Sequence, residues 1–199
     1  MRYLQGLLVA TITPALVTAL PSASPGVLES REYPEFVPGP GLPSLASLNL
    51  TAEDLYAAPK YLPDDPSGPK AEYNDNCGDG RTGLVTANVD DVIACFNYLV
   101  ALGNYVITVT ERDTMNGVPY FREVAHSGSA YIEGHSLRSG GTSSTAYNVA
   151  LGVQWSFTNC NHGGQVGGMA AAYGNGDLVV ISSGHSQFRA SEPSGIGKL

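Results

Sequence analysis

Basic residues are scarce in this chain: Lys and Arg number 10 against 18 Asp and Glu, a net charge of −8 over 199 residues. Such a surface argues against nucleic acid or an anionic bilayer as the primary partner, because binding through phosphates needs cations to neutralise them. Charge of either sign is thin at 14% of residues, whereas 43% are hydrophobic. That is enough apolar material for one ordinary core and too little for two large domains. Past residue 20 no apolar run is long enough to span a bilayer. The chain has no adjacent pair of basic residues marking a processing site, and Ser143 and Ser144 lack the G-x-S-x-G context of a nucleophile elbow. Gly163 to Gly168 lead into a strand pattern rather than a helix, so they lack the helix N-terminus that a phosphate-binding glycine loop uses.

What is present falls into four blocks. Residues 1–20 have a short positive start, Met1-Arg2, then an apolar run broken by Pro14 and small residues at its end, which reads as a secretory signal peptide rather than an anchor. Residues 21–70 hold 10 of the 13 prolines and no sustained periodicity, the mark of a linker, pro-segment or disordered tail. Between Glu29 and Asp91 twelve acids face four bases, so this stretch accounts for the whole charge imbalance. Within it, Ser47 to Ala57 suits one short helix with Thr51 and Asp54 as a capping pair, and Asn49-Leu50-Thr51 is an N-glycosylation sequon. Residues 71–190 form the folded domain, and 191–199 a flexible tail.

Inside the domain, Val89, Val92, Ile93, Phe96, Leu99 and Val100 recur at helical spacing, with Asn88 or Asp90 to start the helix and Gly103 to end it. Asn104–Thr110, Val118–Ala125 and Gly128–Leu137 read as a three-stranded meander. A second helix starts at Thr142 or Ser143, carries Ala146, Val149, Ala150, Val153, Phe157 and Cys160 on one stripe, and stops at Asn161 and Gly163-Gly164. A final hairpin, Gln165–Tyr173 and Asp177–Ser183, turns at Gly174-Asn175-Gly176. The order α-β-β-β-α-β-β with short connections predicts a single α+β domain: an antiparallel sheet of about five strands with two helices on one face.

The same residues carry a resemblance. A serine pair before a helix, Val149-Ala150-x-Gly152-Val153-x-Trp155, Asn159-Cys160, Gly163-Gly164-x-Val166-Gly167-Gly168 and Ala171-Ala172-x-Gly174-Asn175-Gly176-x-Leu178 resemble the C-terminal half of fungal small secreted proteins of the killer-toxin-like, necrosis-inducing effector type. The likeness reaches back to about Asn76 and covers three-fifths of the chain. It implies the same fold and a non-enzymatic protein that binds a host or competitor protein, glycan or membrane surface, without a cofactor. Where that family has two further cysteines, this chain has Ala125 and Ala146.

Three cysteines in an exported chain leave one over. Of the three pairings the expected one is Cys77 with Cys160, leaving Cys95 as a buried thiol; the competing one, Cys95 with Cys160, would staple helix to helix. Asp75, Asp79 and neighbouring glycines lack the terminal Glu of a calcium loop. His162 and His185 bracket the hairpin without a third zinc ligand. Glu123, His126, Glu133 and His135, with Tyr120, Arg122 and Tyr131 nearby, are the weaker alternative: an acid and base for phosphodiester cleavage in a secreted hydrolase. The ordinary reading puts them on a solvated outer sheet face. Leu151 and Trp155 lie off the main stripe of the second helix, either covered by the proline-rich segment or forming an exposed partner patch. A wall or carbohydrate-binding module is a further alternative.

Overall fold

The structure, a computed structural model, describes residues 32–63, 75–78, 84–115 and 118–184, with backbone alone at 114, 115, 118, 119 and 121. The chain divides into two compact units at Arg31/Glu32, and every described residue belongs to the second. The expected signal peptide, the C-terminal tail, Asp79, the Asn116-Gly117 turn and His185 lie outside the described residues.

In chain order the elements are β1 (Phe36–Pro38), a 3-10 turn (Ala46–Leu48), α1 (Ala52–Leu55), β2 (Asn76–Cys77), β3 (Ala87–Asn88), α2 (Val89–Leu102), β4 (Val106–Val109), β5 (Thr114–Met115) and β6 (Val118–Pro119). There follow β7 (Phe121–Ser127), β8 (Ala130–Ser136), β9 (Thr142–Thr145), α3 (Ala146–Asn159), β10 (Asn161–His162), β11 (Gln165–Val166), β12 (Gly168–Ala172) and β13 (Asn175–Ser183). The main sheet runs β1-β7-β8-β13-β12-β2, antiparallel at every junction. This is the expected α+β class, with differences in detail. The expected last hairpin is shorter: Gln165–Val166 pairs with β3 and β10 in a separate sheet, and the turn is Tyr173-Gly174, with Asn175 and Gly176 already in β13.

Val106–Val109 leaves the meander. It pairs with Thr142–Thr145 in a separate two-stranded sheet, so β7 meets β1 on its outer edge instead. The second helix therefore starts later than its hydroxyls suggested: Thr142 and Ser143 are strand, and Thr145 is the N-cap, its Oγ1 accepting from Asn148 N at 3.2 Å. A Thr-Ser-Ser-Thr run offers four successive hydroxyls, and strand pairing decided which of them caps.

α2 behaves as its periodicity requires. Asn88 Oδ1 accepts from Asp90 N, and Gly103 closes the helix with a positive φ of 55°. Both helices pack on one face of the sheet, where Phe96 meets Phe157 edge-on at 5.2 Å among Val92, Leu99, Val149, Val153, Leu178 and Val180. Small residues set the depth of that packing. A Cβ at Gly168 would lie 2.9 Å from Ser156 Oγ and 3.1 Å from Cys160 Sγ, and one at Gly152 would lie 3.2 Å from Ala171 O. Ala125 and Ala146, the sites without the resembled family's cysteines, are both fully buried.

The proline-rich segment, expected to be linker or pro-segment, corrects the reading most. From residue 32 to 63 it is folded onto the domain. β1 pairs with β7, and Gly39 N donates to Val124 O at 2.8 Å. Leu55 is 1% exposed, a burial that stabilises by roughly 2 kcal/mol. Thr51 and Asp54 cap α1 reciprocally, Thr51 N donating to Asp54 Oδ2 at 2.8 Å and Asp54 N to Thr51 Oγ1 at 3.2 Å. The Thr51 hydroxyl, donating to Asp54 Oδ2 at 2.7 Å, and the Thr51 N–H hold the Asp54 carboxyl below its ordinary range. Asn97 Nδ2 donates to the Leu55 and Ala57 carbonyls, Tyr98 Oη to Pro43 O, and the Leu62 backbone exchanges two bonds with the Gln154 amide. The segment is held both by apolar packing, with Phe36, Leu42, Leu45, Leu48, Leu50 and Leu62 against the core, and by side-chain bonds to its backbone.

Asp91 ties three elements together. Its Oδ1 accepts from Tyr56 Oη at 2.8 Å, and its Oδ2 from Ser129 N and Oγ, both at 2.7 Å. The intervening Gly128 has φ +49°, and a Cβ there would meet that carboxylate at 2.5 Å, so the β7–β8 turn admits only glycine. Burial, reinforced by the bond to Asp91, raises the Tyr56 phenol well above its ordinary range.

Candidate functional site

Residues directly opposite in an antiparallel pair share a face, which allows the second face of the main sheet to be read strand by strand. Glu133 of β8 lies opposite Glu123 of β7 and Ile181 of β13; His135 lies opposite Val179, and Tyr131 opposite His126 and Ser183. The helix-side face of β8 carries Ile132 and Gly134 instead.

Glu123 and His126 are three residues apart, which on a regular strand would put them on opposite faces. The register skips between Glu123 and Ala125, and this one-residue bulge returns His126 to the face of Glu123. Their side chains meet: His126 Nδ1 and Glu123 Oε1 are 2.6 Å apart, and each side chain keeps about a quarter of its surface in solvent. The His126 ring stacks on Tyr131 at 5.0 Å and 26°. In the neutral tautomer that donates Nδ1–H to Glu123, Nε2 carries a lone pair, the state in which an imidazole acts as a base.

The rest of the expected constellation disperses. Glu133 is 0% exposed and Ile181 is 4% exposed beside it, so this is no solvated outer face, and Glu133 cannot touch a substrate arriving from solvent. Val179 and Ile181 form a second small core with Leu84 and Met169. His135 is half-buried, and burial lowers its pKa. Arg122 points elsewhere, donating to Thr108 O at 2.7 Å and Pro40 O at 2.6 Å. Tyr120, at φ +68°, accepts from Gly140 N through its hydroxyl at 3.3 Å. Of the four acid–base candidates, the structure joins Glu123 with His126 and places Glu133 in the interior.

Other candidates resolve plainly. Cys77 and Cys160 form a disulfide across 83 residues, tying β2 to the C-cap of α3. Cys95 is a free, buried thiol whose pKa burial pushes up, with Asp91 and Glu123 adding; it is not a nucleophile. Asp75 Oδ1 accepts from Ala171 N at 3.2 Å, which ties it to β12. No group of three or more His, Cys, Asp or Glu is placed to hold a metal among the described residues. Leu151 is 6% exposed and Trp155 partly buried, so Leu151 supplies no exposed patch. The proline-rich segment runs beside that helix, Tyr61 against Phe157 at 5.9 Å and Leu62 on Gln154. No described helix is long and apolar enough to cross a membrane.

The family model described as Domain of unknown function (DUF8794) matches residues 73–183. The chain belongs to that family. Its matched region runs from just before β2 to the end of β13 and includes the disulfide, both long helices and the Glu123–His126 pair, while β1 and α1 fall outside it. No curated protein and no solved structure matches the chain.

Proposed function

We infer that this chain is an exported fungal effector of the toxin-like kind, acting by binding a host or competitor surface rather than by turning over a substrate. The observation that carries the reading is the Cys77–Cys160 bridge, a cross-link that persists in oxidising compartments and is rare where thiols are kept reduced. The signal-like residues 1–20, the low charge and the resemblance of the glycine-rich C-terminal half support it. So does the burial of Glu133, which leaves the most polar sheet face without its central acid. The test is electrolyte leakage from plant leaf tissue treated with the protein purified from culture medium. Leakage that requires the oxidised, folded chain supports the effector reading; none over a wide concentration range removes direct toxicity.

A hydrolase is the second reading, favoured by the 2.6 Å Glu123–His126 contact. It requires RNA cleavage that falls at least a hundredfold in Glu123→Gln and His126→Ala, the usual size of a general-base contribution. Equal cleavage by both variants and the parent would end it.

A further inference from the structure

We propose that Asn49 carries an N-linked glycan, an inference that rests on the export reading above. Asn49-Leu50-Thr51 is the chain's one Asn-x-Ser/Thr sequence, and x is not proline. The structure adds what the motif alone lacks, an accessible acceptor on ordered backbone. Asn49 ends the 3-10 turn in the left-handed conformation, φ 54° and ψ 37°, with its N–H bonded to Ala46 O at 3.2 Å. It is exposed, and its side-chain amide makes no hydrogen bond among the described residues. A group attached there displaces no packing and breaks no bond.

The surroundings hold the root of the glycan in place. Leu50 lines a groove of about 290 Å³ together with Asp54, Ala57, Lys60, Asn97 and Val100. The segment around it is fixed by the α1 cap and by the bonds from Asn97 to Leu55 and Ala57.

The chemistry is transfer of an oligosaccharide from a lipid pyrophosphate donor. The Asn49 amide nitrogen bonds to the anomeric carbon, and the bond from that carbon to the pyrophosphate oxygen breaks. Lipid pyrophosphate leaves with the electron pair, and the amide nitrogen gives up one proton.

The full chain is expressed in a eukaryotic secretory host and its intact mass is read with and without an N-glycan-releasing amidase. Expected is a mass excess that the enzyme removes in the parent and in Thr51→Ser and that is missing from Asn49→Gln and Thr51→Ala. Asn49→Gln leaves the Thr51–Asp54 cap whole and Thr51→Ser keeps the hydroxyl, so loss of folding does not imitate the result. Unmodified parent chain in the medium overturns the glycan and leaves export standing. A chain that never enters the secretory route overturns both.

Discussion

The two faces of the main sheet are made by alternate residues of the same strands, yet they are built differently. The helix-side face is apolar, with Leu178, Val180, Ile132 and Val124 under α2 and α3. The other face interleaves Val179 and Ile181 with Glu133, His135 and Tyr131, and carries the bulge that joins Glu123 to His126. The second face is buried only at its centre, where Ile181 is 4% and Glu133 0% exposed, while His135, Tyr131, Glu123 and His126 keep part of their surface in solvent. A buried carboxyl needs a hydrogen-bonding or charged partner to offset its lost hydration. The second face thus buries an ionisable group, whereas the polar groups buried on the helix-side face are the hydroxyls of Ser136 and Ser182.

The largest expected effect bears on the helix-side face. Replacing Cys77 and Cys160 together with Ser frees β2 from α3 and costs on the order of 4 kcal/mol for a separation of 83 residues, read from urea unfolding. A loss below about 1 kcal/mol would mean that packing around Gly168 holds that end of the sheet without the bridge.

Next comes the direct comparison of faces. Leu178→Ala and Ile181→Ala are each expected to lose about 2–5 kcal/mol, the helix-side change more. If Ile181→Ala stays within about 0.5 kcal/mol, the second face behaves as surface and the contrast fails. Tyr56→Phe, which removes a hydroxyl from buried Asp91, is expected to cost about 1–3 kcal/mol. A variant as stable as the parent would show that Ser129 alone satisfies Asp91.

The smallest effect is a pH slope. Burial lowers the folded-state pKa of His135 from its ordinary 6.5, so the unfolded chain binds its proton first as pH falls. The parent should lose stability as pH drops below 6.5 towards the lower folded value, and His135→Asn should flatten that slope in melts at successive pH values. A slope unchanged in the variant would assign it to other groups.

Much of the domain could be read from local pattern. The α2 stripe, the Asn88 cap and the Gly103 stop are all short-range signals; of the expected Gly174-Asn175-Gly176 turn only Gly174, at φ +72°, is in the turn, and Asn175-Gly176 begin β13. The Thr51–Asp54 cap was legible for the same reason, although the helix it starts is only Ala52–Leu55. The Glu123–His126 pair was only half visible. Both residues were singled out, but the bulge that puts them together is a property of strand register, and no spacing rule announces it. Asp91 was placed in the first turn of α2 by its sequence, whereas its bonds to Tyr56 and Ser129 come from residues 35 and 38 positions away.

By itself the sequence determined the α+β class, the extent of α2 and the existence of a final hairpin near Gly174, because periodicity, caps and turn residues act over a few positions. Tertiary structure decided the rest. It moved Val106–Val109 out of the main sheet, folded residues 32–63 onto the domain through bonds to their backbone, and buried Glu133 on a face that alternation marked as polar. Each of these depends on which distant strand or loop lies alongside, and burial is a property of the neighbour as much as of the residue.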